Sequence, residues 1–249
     1  MTEPRLLVVR NEVDPDCEYH CDALASYFPG AEEVDYPNER ARSPDGADGV
    51  VLDGVDDVSL DDVDGISLGS VDGVVLTGST AGVYERDERP WIVDQEALVR
   101  ELIERRIPTL GVCFGHQVVN AALGGTVEHV GTTSGLVELD LDDDPIFEGV
   151  SPIVPLVHGD FVTEIGEGME VIASAEYYHA LATRHREAPV WTVQFHPEFT
   201  ADLRERIEAD FGWSDNGHDY DEVSATRVFD NFRSIVETYR TNPVELGYR

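Results

Sequence analysis

The apolar run Ile107-Pro108-Thr109-Leu110 leads directly into Gly111-Val112-Cys113-Phe114-Gly115-His116-Gln117, and that into Val118-Val119-Asn120-Ala121-Ala122-Leu123. A short apolar strand, a bend bracketed by glycines and a helix-like stretch follow one another with no loop between them. That succession restricts the chain to an α/β arrangement in which a strand ends on a sharp elbow, with Cys113 at its apex. Such an elbow lifts a side chain clear of the sheet edge and aims the first N–H groups of the next helix at whatever the side chain attacks. Gly111 and Gly115 are small enough to let the backbone bend there.

A second segment supplies what a cysteine nucleophile needs. Trp191-Thr192-Val193-Gln194-Phe195-His196-Pro197-Glu198 reads as a short strand ending in His-Pro-Glu. A thiol attacks as its thiolate, which a histidine within hydrogen-bond reach generates, and a carboxylate holds that imidazole in one tautomer. Two residues apart in extended chain, His196 and Glu198 are expected on the same side.

These two stretches resemble the signatures of the class I (triad-type) glutamine amidotransferases, Gly-x-Cys-x-Gly-x-Gln and Phe-His-Pro-Glu. Two further landmarks fall in the right order. Pro155-Leu156-Val157-His158-Gly159-Asp160 is similar to the Ser-His-Gly-Asp segment of the amidotransferase part of GMP synthase, and Gly73-Val74-Val75-Leu76-Thr77-Gly78-Ser79 to the family's strand before a Gly-Gly-Pro turn. The likeness covers most of residues 70–200. It implies a flavodoxin-like, three-layer α/β fold with a mostly parallel central sheet flanked by helices. It further implies catalytic roles for Cys113, His196 and Glu198, oxyanion donors at Phe114 and at Gly78 and Ser79, and substrate contacts from Gln117, Gly159 and Asp160. Two departures stand out. The turn reads Gly78-Ser79-Thr80, and Val157 occupies the position where the family carries Ser or Asn, so side-chain recognition is lost there.

The remaining pattern fits alternating strands and helices. Arg5 to Arg10 reads as the first strand, and Asp14 to Phe28 as a helix stopped by Pro29-Gly30. Pro90 to Arg106 reads as a helix with Trp91, Gln95, Leu98, Val99, Leu102 and Ile103 on one stripe. Strands are expected around Leu136 to Leu141, Val154 to Val157, Val171 to Ala175 and Val190 to Phe195. Residues 38–70 are rich in Asp, Gly and Ser and read as an acidic, loop-like insertion. Within it Asp48-Gly49-Val50-Val51-Leu52 is repeated as Asp72-Gly73-Val74-Val75-Leu76, two buried strands rather than a repeat architecture. Residues 1–204 are thus expected to form the amidotransferase-like domain. Residues 205–249 are expected to form a helical extension packed on it, with helices interrupted by Gly212 to Asp221.

Charge narrows the partners. The 249 residues include 51 acidic and 17 basic side chains, a net charge of −34, and every basic one is arginine. Nucleic acid and anionic membranes repel such a chain. The balance also suggests adaptation to high salt, where a Debye length of about 3 Å at molar ionic strength screens self-repulsion. Leu6-Leu7-Val8-Val9 is too short for a signal peptide, and no segment is long enough to span a bilayer. With three cysteines and no disulfide framework, a reducing cytoplasm is the expected compartment.

No cofactor is expected: the chain lacks the Gly-rich pyrophosphatase loop of a fused GMP synthase and any Gly-x-x-x-x-Gly-Lys phosphate loop. Cys17, His20 and Cys21 share a helix face, but no second ligand pair accompanies them, so no metal is assigned. His116 reads as structural, and His129, His158, His179, His185 and His218 carry no ligand spacing; of these only His158 lies in a substrate-loop motif. The expected substrate is glutamine or a γ-glutamyl compound, and ammonia released from glutamine goes to a separate synthetase subunit or to none. A hydrolase of γ-glutamyl peptides or related amides, and a catalytically silent binding module, are the alternative readings.

Overall fold

The computed structural model of the chain describes residues 3–38, 62–63 and 66–242. The first copy of the repeated pentapeptide and most of the acidic insertion lie outside them. The elements in chain order are β1 (Leu6–Arg10), α1 (Tyr19–Ala25), β2 (Glu32–Asp35), the two-residue strands β3 (Asp62–Val63) and β4 (Ile66–Ser67), β5 (Gly73–Leu76), α2 (Trp91–Glu104), β6 (Thr109–Val112) and α3 (Phe114–Ala122). Then follow β7 (Thr126–Glu138), β8 (Asp140–Leu141), β9 (Ile153–Glu164), β10 (Met169–Ala175), β11 (Tyr178–His185), β12 (Val190–Val193), α4 (Arg204–Phe211) and α5 (Arg227–Thr241).

Eight strands form one sheet in the order β2-β1-β5-β6-β12-β11-β10-β8. The first five run parallel and the last three add on antiparallel. Strands β1, β5, β6 and β12 are short, apolar and almost wholly buried, as parallel strands covered on both faces must be. Successive residues point to opposite faces. Leu6 and Val8 join the core shared with Leu24, Phe28, Phe229 and Phe232, and Leu7 and Val9 join the one shared with Ile92, Leu98, Val99 and Val118. The sheet is therefore a middle layer, with α1 and α5 on one side and α2 and α3 on the other. The end of β1 is tied down by Arg10, whose fork bonds Glu18 and Asp22 through Nη2 at 2.7 and 2.6 Å and Glu33 through Nη1 at 2.9 Å.

The C-terminal extension is present as helices. In α5, Val228, Phe229, Phe232, Ile235 and Val236 are buried, and Phe229 packs on Tyr27 and Phe28 with ring centroids 4.8 and 5.4 Å away. Each such side chain contributes about 1.5–3 kcal/mol on burial, which holds this otherwise charged helix on the sheet.

Several boundaries differ from the sequence expectation. The first helix spans only Tyr19–Ala25, with turns on either side. Strands β7 and β9 run far beyond the expected segments and pair with each other as a separate antiparallel ribbon. Strand β11 lies outside the expected set. All three extra stretches mix polar and apolar residues. The β7–β9 ribbon joins segments separated along the chain, and β11 is a strand because β10 and β12 flank it on both sides, a context that local patterning does not register.

Candidate functional site

Parallel strands all end on the same edge of a sheet, and in open α/β sheets that C-terminal edge is where ligands bind. Here β1 leads to Asn11 and Glu12, β5 to Thr77-Gly78-Ser79, β6 to Cys113 and β12 to His196. These residues come from four distant parts of the chain and meet because their strands are neighbours. A cavity of about 280 Å³ opens at this edge, lined by Cys113, His196, Gln117, Ser79, Asp160 and His20 among others.

Cys113 has φ +54° and ψ −103°, a strained backbone for a residue with a side chain, and it caps α3. The flanking glycines serve the elbow by allowing close approach; neither has a positive φ. A Cβ on Gly115 would sit 2.5 Å from the Leu76 carbonyl oxygen, and one on Gly111 2.5 Å from that of Gly115.

Val157 brings no polar side chain to the site, but its backbone carbonyl joins the pair: the Cys113 thiol lies 3.9 Å from that oxygen and His196 Nε2 3.1 Å. His196 Nδ1 lies 2.7 Å from Glu198 Oε1. A carbonyl and a carboxylate only accept hydrogen bonds, so both ring nitrogens donate and the ring is arranged as an imidazolium. Burial, the largest single influence, opposes that charge. The attraction and hydrogen bonds of Cys113 and Glu198 outweigh it and raise the His196 pKa well above the ordinary value. Glu198 is buried, and among the described residues no donor reaches its Oε2.

The expected extended geometry of His196-Pro197-Glu198 is replaced by a turn. β12 ends at Val193, and the Phe199 amide donates to the His196 carbonyl at 3.1 Å. Proline in this turn restricts φ. The turn also brings Phe199 flat against the imidazole, with centroids 4.1 Å apart and an interplanar angle of 4°. Phe199, next in sequence after the Pro-Glu pair, was the missed member of this group.

Gly78 sits against the pair: a Cβ there would lie 3.3 Å from His196 Cε1 and 3.5 Å from Cys113 Cβ. The Ser79 hydroxyl folds back to accept from the Ala81 amide at 3.0 Å. Phe114 is buried at the first position of α3, and Gln117 faces the cavity while donating to Gln194 Oε1 at 3.3 Å. Across the cavity, Asp160 Oδ1 lies 2.9 Å from His129 Nδ1 and accepts from the Tyr84 hydroxyl at 3.2 Å, while Gly159 lies beside the His129 ring. The extension reaches the site too, since Phe211 of α4 lines the same cavity.

The other histidines divide by environment. His116 is buried, with Nδ1 2.7 Å from Thr192 Oγ1, and burial pushes its pKa down to about 3. His158 stacks on Tyr178, and burial lowers it to about 4. His129, given no role from spacing, lines the cavity, as does His20. His20 turns its Nε2 to Glu12 at 2.5 Å. Among the described residues, no group of three or more His, Cys, Asp or Glu side chains is arranged to hold a metal ion, and no helix is long and apolar enough to cross a membrane.

The model of the class-I glutamine amidotransferase family matches residues 54–213. GMP synthase of Lactobacillus delbrueckii subsp. bulgaricus is 35% identical over 129 residues, 50% of this chain and 24% of that protein. GMP synthase of Thermosipho africanus is 36% identical over 129 residues, 51% of this chain and 24% of its own length. The match thus spans about a quarter of these relatives. Among solved structures, a glutamine amidotransferase of Thermotoga maritima superposes with a TM-score of 0.63 at 18% identity, covering 95% of this chain and 98% of its own. Another glutamine amidotransferase, from Methylobacillus flagellatus, does so with a TM-score of 0.60 at 15% identity, covering 96% of this chain and 95% of its own. At such identities the superpositions speak for the fold, and the family model for descent: the chain belongs to the class-I glutamine amidotransferases.

Proposed function

We propose that this protein hydrolyses the side-chain amide of glutamine through Cys113, His196 and Glu198, and that the ammonia serves a separate synthetase subunit. The observation that carries this reading is the convergence of the Cys113 thiol and the Glu198-bound His196 ring on one carbonyl, at the C-terminal sheet edge. In the first step the Cys113 sulfur, as thiolate, attacks the amide carbon, and the new S–C bond leaves an oxyanion on the former carbonyl oxygen. Donors from Phe114 and the Gly78-Ser79 turn meet that charge. The C–N bond then breaks, the nitrogen takes a proton from the His196 imidazolium and leaves as ammonia, and a glutamyl thioester remains. His196, now neutral, takes a proton from water; the hydroxide adds to the thioester, and glutamate leaves with return of the thiolate and imidazolium. Glu198 keeps the ring oriented throughout. Gln117, Gly159 and Asp160 hold the amino-acid end of the substrate. The matched GMP synthases, named as glutamine-hydrolysing, support the substrate class and a synthetase acceptor.

The test is a panel of glutamine, γ-glutamyl peptides and γ-glutamyl anilides, assayed for glutamate release with and without extract containing candidate synthetases. Glutamine turned over fastest, with stimulation by the extract, is the expected result. Faster release from γ-glutamyl peptides replaces the reading with a γ-glutamyl hydrolase, and background release from every amide leaves a silent binding module.

The panel belongs in concentrated salt. With a net charge of −34, screening should relieve self-repulsion in the folded chain. We expect the unfolding midpoint to rise between dilute buffer and molar KCl by about 6–12 °C, the shift that roughly 3 kcal/mol produces in a chain of this size. A midpoint independent of salt in scanning calorimetry rejects the halophilic reading.

A further inference from the structure

The geometry points to Glu12 as a positioning residue that, together with Asn11, clamps the Gly78-Ser79 turn so that its backbone donors stay aimed at the Cys113 reaction centre; this rests on the proposed amide hydrolysis.

The turn needs such a device. Thr80 carries no ring to restrict its φ and lies at the surface, where a short turn is free to move. Consecutive residues at the end of β1 grip the two ends of the turn. The Asn11 amide donates to Thr77 Oγ1 and its side-chain Nδ2 to the Thr77 carbonyl, both at 3.0 Å, while Gln95 Nε2 holds Asn11 Oδ1 at 2.5 Å. The Thr77 carbonyl also accepts from Gly115 at 3.2 Å, which ties the turn to the helix behind Cys113. At the other end Glu12 receives the Thr80 amide at 3.1 and 3.2 Å and the Thr80 hydroxyl at 2.5 Å. Only Gly78 and Ser79 lie between the anchors, and these carry the candidate oxyanion donor.

Glu12 is built to be a fixed anchor. Its side chain is 1% exposed. Besides Thr80 it accepts from the Val13 and Asp14 amides at 2.8 Å each and from His20 Nε2 at 2.5 Å. A buried carboxylate so fully bonded and paired stays charged and immobile. His20 is its counter-ion, and the ring stands edge-on to His196 with centroids 6.3 Å apart. Burial, the largest single influence on each, disfavours both charges, but their mutual bond and the partners around them lower Glu12 to about 2 and raise His20 to about 10. Sequence spacing alone marked His20 only as a candidate metal ligand; its partner proves to be eight residues upstream.

Thr80→Val, Thr80→Ser and Glu12→Gln proteins test the clamp. In Thr80→Val we expect kcat for the best amide to fall about 10- to 100-fold, the range that a misplacement of up to 1 Å produces, with KM unchanged. Thr80→Ser should recover most of the rate. Alkylation of Cys113 by iodoacetamide, which requires no oxyanion donors, should proceed at the wild-type rate in all variants. Amide exchange at Thr80, followed by NMR, should be slow in wild type and fast in Glu12→Gln. Wild-type turnover in Thr80→Val, or joint loss of turnover and alkylation, overturns the inference while the amide-hydrolase reading stands. If wild type hydrolyses no amide, that reading falls, and rapid exchange at Thr80 in wild type then overturns the clamp on its own.

Discussion

Cys113→Ala protein is expected to release glutamate from glutamine at a rate close to that of buffer alone. The expected loss is on the order of 10⁶-fold, as when the nucleophile of a triad is removed, because in the proposed mechanism His196 and Glu198 are left with no thiolate to serve. Fold is not the reason for the loss. Cys113 has its side chain at the cavity wall, and trimming the sulfur leaves β6 and α3 with their apolar contacts; alanine, like cysteine, has a Cβ, so it meets the same strain at φ +54° and adds none. Circular dichroism and the unfolding midpoint should therefore match wild type while a coupled glutamate assay reads zero. Glutamate release by a folded Cys113→Ala protein would remove the thiolate from the mechanism.

Glu198→Gln is expected to lower kcat by about 10⁴-fold, the cost of losing the carboxylate behind a catalytic histidine while its position is kept, or roughly 5 kcal/mol of transition-state stabilisation. A carboxylate at 2.7 Å from Nδ1 requires that nitrogen to donate. An amide in its place offers an NH₂ as readily as an oxygen, so the ring can settle with its proton on Nε2, unable to collect another from water. The substitution also removes a charge that helps raise the His196 pKa. A folded chain gains stability from such a raised histidine below the ordinary imidazole range, and loses it as pH climbs through the folded value. The excess stability of wild type over Glu198→Gln should accordingly be full below the ordinary imidazole range and shrink at alkaline pH. Unchanged kcat in Glu198→Gln, measured by stopped assay alongside thermal melts at several pH values, would show that the carboxylate is structural.

The order of the landmarks, the elbow after Leu110, the helix from Trp91 to Glu104 and the apolar strands β1, β5, β6 and β12 were all legible along the chain, since each is written in local apolar pattern or in a short motif. The long β7–β9 ribbon was not. Thr126 to Gly135 is a polar, glycine-containing stretch that becomes a strand only because residues 153–164 lie against it. Phe199 is illegible in the sequence for a related reason. A phenylalanine after a motif reads as generic core until the turn from His196 to Phe199 brings the two rings face to face.

Residue type and short-range order by themselves specified a cysteine elbow, a histidine with its carboxylate, an acidic lysine-free surface and the alternating α/β plan. Those properties depend on neighbours a few positions away, or on composition. Which distant residues share the cavity depended on strand order. The parallel register β1-β5-β6-β12 brings Glu12, Thr77, Cys113 and His196 to one edge, and the Asn11–Glu12 grip on residues 77–80 arises from that adjacency. A carboxylate 68 positions before its threonine partner has no local signature, because the interaction is made in space by the sheet that joins them.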